Sequence, residues 1–276
     1  MNLLATCDFD PTSSNVDRWA LRLNKWYLDG VTQAGDVCIG YQAELSVGPL
    51  ATGYRGLLLR NAQGLVEDKS GWGRGEAPSL QESGDWQWSE WMTGHWRPQG
   101  AGMASVLCDL PGVRIHWTCV APNCLARVQS VCAGEAVDWA MEGYVEHLEL
   151  SLSTLTLPFH CLHWGRAVVA GHSVVWIDWD EGKTLSRVWL DGTLVDARLE
   201  GQGPQRIVGG NWSIELQQHA VLRDRELGMA LPQVIRRQAG ALANSHESKW
   251  LGRASLSGMG ANPSVGWAIF ERVVWQ

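Results

Sequence analysis

The sequence lacks several features, and each absence removes a class of function. No stretch approaches the roughly 20 consecutive apolar residues that a membrane-spanning helix needs. There is no run of Lys or Arg, and the net charge is −7. Phosphate backbones and anionic membrane surfaces are therefore not expected partners. The opening "MNLLATCDFDPTSSNVDRW" has no basic start followed by an apolar core, which predicts no secretory leader. Seven cysteines are an odd number at irregular spacing, so a disulfide scaffold is not expected. Cys119 and Cys124 have no second Cys or His pair at ligand spacing, and no metal site is predicted. Free buried thiols in a reducing, cytoplasmic compartment are the expectation. Also missing are a Gly-x-Ser-x-Gly elbow, a P-loop, a Gly-x-Gly-x-x-Gly turn after a strand and a His-Glu-x-x-His pair. Activated-nucleophile hydrolases, nucleotide enzymes and zinc enzymes are thereby demoted, and no cofactor is expected.

Phe and Tyr are scarce, at three and four residues, whereas there are 17 tryptophans. So many large rings in a chain with only 18% charged residues point to an apolar cavity as well as a core, and to a hydrophobic small molecule as the partner. Helical periodicity is weak throughout, with one candidate at 223–237, interrupted by Pro232. Short β-rich segments dominate: 37–47, 54–60, 113–120, 167–179, 186–190, 214–218 and 267–275. Asp29-Gly30, Asp191-Gly192 and Gly209-Gly210 read as turns between them. The segment 71–102, rich in Gly and Trp, reads as a hairpin or a loop over a cavity, with Trp86 and Trp88 on one face. Trp26, Val37, Ile39 and Tyr41 are echoed 138 residues later by Trp164, Val175, Ile177 and Trp179. Half the chain length is 138, so the expectation is two β-domains in tandem.

The stretch "GYVEHLELSLS" at 143–153 alternates with period two. Its apolar face carries Tyr144, Leu148, Leu150 and Leu152, and one misfit, Glu146. His147 and Glu149 fall on the other, outward face. In "GWAIFERVVWQ" Glu271 is set in the same way among Trp267, Ile269, Val273 and Trp275, and Asp178 follows Val174 and Trp176. Burying an ionised carboxylate costs several kcal/mol unless it is paired. Glu146 therefore pairs with a cation such as Arg114 or Arg166, lines a solvated barrel mouth, or rises in pKa and stays protonated. In the last case it is a proton donor near neutral pH. His116 alternates onto the face of Arg114 and Thr118, opposite Trp117, and is expected to look outward.

"EGYVEHLEL", "LHWGR", "VVWIDWD", "KWLGRASL" with "GWAIFERVVW", and the early "NKWYLDG" with "GDVCIGYQAELS", together resemble the lipocalin-like group of carotenoid 1,2-hydratases (hydroxyneurosporene synthases), tocopherol cyclases and plant-phenolic hydratases. The resemblance implies an all-β protein of two tandem antiparallel barrels with few short helices, here 1–145 and 146–276. It also implies acid chemistry on alkenes without a cofactor. The group's Gly-x-Gly-Tyr-x-Asp strand matches Tyr144 and Glu146, with Glu for Asp and Met141 for the first Gly. The group's His and Trp, two apart on an earlier strand, are here the adjacent His116 and Trp117.

The expected function is a hydratase or cyclase in which Glu146 protonates a C=C bond and Tyr144 orients it. Trp faces would stabilise the developing cation by around 2 kcal/mol. Trp117, Trp176, Trp267, Glu271 and His116 are the candidate substrate-binding residues. Two rival expectations use the same scaffold: a non-catalytic lipid or isoprenoid carrier, and a pericyclase that folds a polyene without acid catalysis. A stress-response barrel is a third.

Overall fold

The computed structural model describes residues 20–153, 157, 159–180, 183, 185–201, 205–227, 245–258 and 261–275. The first half contributes β1 (Leu21–Val31), β2 (Val37–Val47), β3 (Leu50–Arg60), β4 (Val66–Trp72), β5 (Ser79–Leu80), β6 (Trp86–Ser89), β7 (Thr93–Pro98), β8 (Met103–Leu110), β9 (Val113–Cys132) and β10 (Glu135–Leu152). They form one antiparallel sheet in the order β4-β3-β2-β1-β10-β9-β7-β6-β5, with β8 also paired to β9. The second half contributes β11 (Cys161–Val169), β12 (His172–Trp179), β13 (Leu185–Leu190), β14 (Thr193–Val195), β15 (Ala197–Glu200), β16 (Arg206–Gly209), β17 (Trp212–Glu226), β18 (Ser245–Gly258) and β19 (Ala261–Trp275). Their order is β14-β13-β12-β11-β19-β18-β17-β16-β15.

The two sheets share one wiring. In each, the chain meanders, and the first strand pairs with the last to curl the sheet into a barrel. The tandem all-β architecture expected from the sequence is what the chain adopts. Sheet pairing divides it between Leu152 and Cys161, because β10 runs straight through 145/146 in the first sheet. No α-helix occurs among the described residues. Positions 223–226 of the expected helix belong to β17, and 228–244 lie outside the described residues.

One expected turn and one expected strand resolve differently. Asp29-Gly30 is inside β1, where Gly30 lets Met141 approach: a Cβ there would come within 2.9 Å of its sulfur. The apparent single strand at 167–179 is a hairpin. Ala170 (φ 55°) and Gly171 (φ 80°) both take positive φ, the tight two-residue turn that suits strand twist.

Three apolar clusters organise the packing. One fills the first barrel around Trp88, Trp96, Leu57 and Val145, and one fills the second around Trp176, Trp212, Ile214 and Phe270. The third lies between the barrels, joining Tyr27, Tyr41, Trp117 and Tyr144 to Trp164, Ile177, Trp189 and Ile269. The central strands are therefore covered on both faces, one by their own barrel's interior and one by the other barrel. The echo half holds. Val37, Ile39 and Tyr41 share the inter-barrel cluster with Val175, Ile177 and Trp179. Trp26 instead turns to the first barrel's interior and stacks on His147 at 4.4 Å, so His147 is half-buried rather than outward.

Candidate active site between the barrels

β1 and β9 flank β10, and their registers assemble the site. Glu146 faces Tyr27 across one ladder and Cys119 across the other. Even-numbered side chains of β10 in this stretch point between the barrels, so Tyr144 and Glu146 enter the inter-barrel layer two residues apart. Tyr144 is fully buried, and Glu146 is 8% exposed. The Tyr144 hydroxyl donates to Oε2 of Glu146 at 2.7 Å, and the Trp117 indole N–H donates to the same oxygen at 2.6 Å. Both donors occupy Oε2, which leaves Oε1 to carry a proton.

No Lys or Arg nitrogen lies within 4.0 Å of this carboxyl among the described residues. The cations that could have neutralised it are engaged elsewhere. Arg166 is buried against Asp29, and Arg114 pairs with Asp109 at the surface, 3.3 Å apart. Burial raises the Glu146 pKa above its ordinary value, and the carboxyl of Glu271 pushes the same way. The Trp117, Lys25 and Tyr144 contributions oppose this without reversing it. Tyr144 is itself held as the phenol, first by burial and then by Cys119 and Glu146.

The second barrel supplies the opposite wall. Trp164 packs edge-on to Tyr144 at 5.6 Å and to Tyr27 at 5.2 Å, and Trp189 lies 4.8 Å from Trp117. Trp164 is the Cα partner of Glu271, which brings that residue to the same layer. Glu271 is not free: the buried Lys249 ammonium is 2.5 Å away, with Glu247 at 3.4 Å on its other side. Burial opposes the charge on Lys249, but Glu271 and Glu247 outweigh it and hold its pKa above the lysine value. Arg223 continues the chain, hydrogen-bonding Tyr41 and pairing with Asp68 at 2.9 Å.

Of the candidate residues, Glu146, Tyr144 and Trp117 meet directly, and Glu271 joins the layer through Trp164. Three do not meet the carboxyl. Trp176 turns into the second barrel, where its ring lies against Gly165. Trp267 sits near the β1–β2 turn, giving its N–H to the Gln33 carbonyl at 3.2 Å and stacking under Arg253 at 3.5 Å. His116 is exposed on the far face of β9. Trp164, Trp189, Lys249 and Glu247 were not among the sequence candidates. Their signal was present in the alternation of Leu162, Trp164 and Arg166 and of Glu247, Lys249 and Leu251, but charged residues on a strand usually mark its wet face.

Among the described residues no group of three or more His, Cys, Asp or Glu side chains could hold a metal ion, and no helix is long and apolar enough to cross a membrane. No disulfide forms among the described cysteines, and all but Cys161 are buried.

No protein-family model and no curated protein sequence matches the chain. Solved structures do. An AttH protein from Nitrosomonas europaea superposes with a TM-score of 0.56 at 13% identity, covering 90% of this chain and 92% of its own. Kievitone hydratase from Nectria haematococca gives 0.56 at 10% identity, covering 94% and 89%. CghA in complex with Sch210972 gives 0.56 at 12%, covering 93% and 89%. The likeness runs through both barrels, at identities where it speaks for architecture alone. The chain has the tandem lipocalin-like fold of kievitone hydratase and CghA.

Proposed function

We propose that the protein is a cofactor-independent hydratase or cyclase that protonates a C=C bond of a hydrophobic isoprenoid or polyketide-like substrate held between the barrels. The observation that carries this reading is the Glu146 carboxyl, buried with two neutral donors on one oxygen and no cation in contact among the described residues. A neutral carboxylic acid in an apolar layer is a proton donor whose pKa has moved toward the working pH. Oε1 delivers the proton to the alkene carbon. Tyr144 and Trp117 then stabilise the carboxylate left on Glu146, since their hydrogen bonds strengthen as Oε2 gains charge. Water, or a hydroxyl of the substrate, captures the cation and gives up its own proton, which yields hydration or ring closure. The rings of Trp164, Trp189 and Tyr27 face the cation while it lasts.

The test is turnover in D2O of a panel of prenylated phenols, isoprenoid polyenes and polyenyl polyketides, read by mass spectrometry. The expected result is a product carrying one carbon-bound deuterium, formed by wild type and lost in Glu146→Gln. Turnover that survives the substitution would mean that the site folds its substrate without acid catalysis.

A further inference from the structure

Four cations of the inter-barrel layer have carboxylate partners, and Lys25 beside them does not. Arg166 has Asp29, Lys249 has Glu271 and Glu247, Arg223 has Asp68 and Glu247, and Arg225 reaches Asp68 at 3.9 Å. Lys25 has no carboxylate within 4.0 Å among the described residues. Its position on β1 is two residues from Tyr27, on the same face, and it is half-buried. The ammonium lies 5.7 Å from the Tyr27 ring centre and 5.8 Å from that of Tyr41. Lys249 and Arg223 share its tyrosine rings, at 4.8 Å from Tyr27 and 4.9 Å from Tyr41, and Lys25 lowers the proton affinity of Glu146 on β10 and Glu247 on β18. Glu247 is committed to Lys249 and Arg223, and Glu146 accepts its hydrogen bonds from Trp117 and Tyr144 rather than from Lys25. A half-buried ammonium with no carboxylate in contact favours a bound anion.

We propose that Lys25 is a specificity-determining residue that binds an acidic oxygen of the substrate, a carboxylate or an enolate. The ligand is then an unsaturated organic acid, not a hydrocarbon or a neutral alcohol. Register fixes where its double bond lies. Tyr27 is the partner of Glu146 and Lys25 that of Leu148, so Lys25 and Glu146 are diagonal neighbours on one face, a separation of about 7–8 Å between backbones. The acidic oxygen and the protonated carbon are therefore a few bonds apart. This placement of the double bond rests on the reading of Glu146 as the acid. The anion preference does not.

The test uses cis-parinaric acid and its methyl ester as fluorescent probes, titrated into the intact protein near neutral pH. A charge-assisted hydrogen bond to a partly desolvated ammonium predicts that the acid binds about tenfold or more tightly than the ester. Lys25→Met should bring the two affinities together, and Lys25→Arg should restore the difference. Glu146→Gln should keep it, which separates this inference from the acid mechanism. Equal affinities in wild type, no binding of either probe, or a preference that survives Lys25→Met would overturn the proposal.

Discussion

Trp117 reaches Glu146 diagonally, although the two are not register partners: Trp117 faces Leu148, and Glu146 faces Cys119. The β10–β9 pairing shifts between Gly143 and Val145 and again between Val145 and Glu146, just before this contact. Such irregularities twist a strand locally and re-aim its side chains. The indole N–H thus converges with the Tyr144 hydroxyl on one carboxyl oxygen, from the neighbouring strand.

Removing that donor tests its electrostatic role. The Trp117 hydrogen bond favours the ionised form of Glu146, so Trp117→Phe should raise the carboxyl pKa further. The neutral-carboxyl stretch in the infrared, identified by its absence from Glu146→Gln, should persist to higher pH in the variant. A midpoint that stays put or falls counts against the contact. The loss in folding stability should be about 1–3 kcal/mol.

The raised pKa of Glu146 also fixes a stability trend. Well below the ordinary carboxylate range the folded and unfolded chains both hold this proton, and the site costs nothing. As pH rises through that range the unfolded chain releases the proton while the folded chain keeps it, so stability falls until the folded pKa is reached. Glu146→Gln removes the penalty. It should melt above wild type near neutral pH, and the gap should close on acidification. A gap that widens toward acid would show a depressed pKa instead.

Asp29 and Arg166 join β1 of one barrel to β11 of the other with both side chains buried. Asp29→Ala leaves the guanidinium uncompensated and should cost about 3–5 kcal/mol in denaturant unfolding. Asp29→Ala combined with Arg166→Met should recover most of that loss. If the double variant is as weak as the single one, packing around Asp29 is the larger factor.

Gly165 should not tolerate a methyl group. A Cβ there would lie 2.2 Å from the Trp176 ring and 2.7 Å from the Phe270 Cβ. Gly165→Ala should cost about 1–3 kcal/mol by overpacking. Gly100→Ala meets nothing within 4 Å, and its unfolding midpoint should stay close to wild type, within about 0.5 kcal/mol.

The sequence made Glu146 legible because a carboxylate broke a clean alternation, and Tyr144 came with it by parity. Trp117 followed from the same rule on β9. Trp176 illustrates where the rule stops. Parity separates two faces of a strand but does not say which face meets the second barrel, and β12 is buried on both sides. Lys249 and Glu247 stayed hidden for the reverse reason, since Ser245–Gly258 alternates like a strand with a wet face. Their neutrality as a group depends on Glu271 and Arg223, which reach them from β19 and β17. The hairpin at Ala170-Gly171 was obscured because only one of its two turn residues is glycine.

The matched wiring of the two sheets sets two acids in corresponding strands. β10 and β19 hold the same place in their barrels, and each sends one glutamate into the common layer. The two acids meet different partners. Glu146 takes hydrogen bonds from a phenol and an indole, whereas Glu271 pairs with a lysine. The two matched positions therefore carry unlike surroundings, and Lys249 is the residue that charge-balances the second.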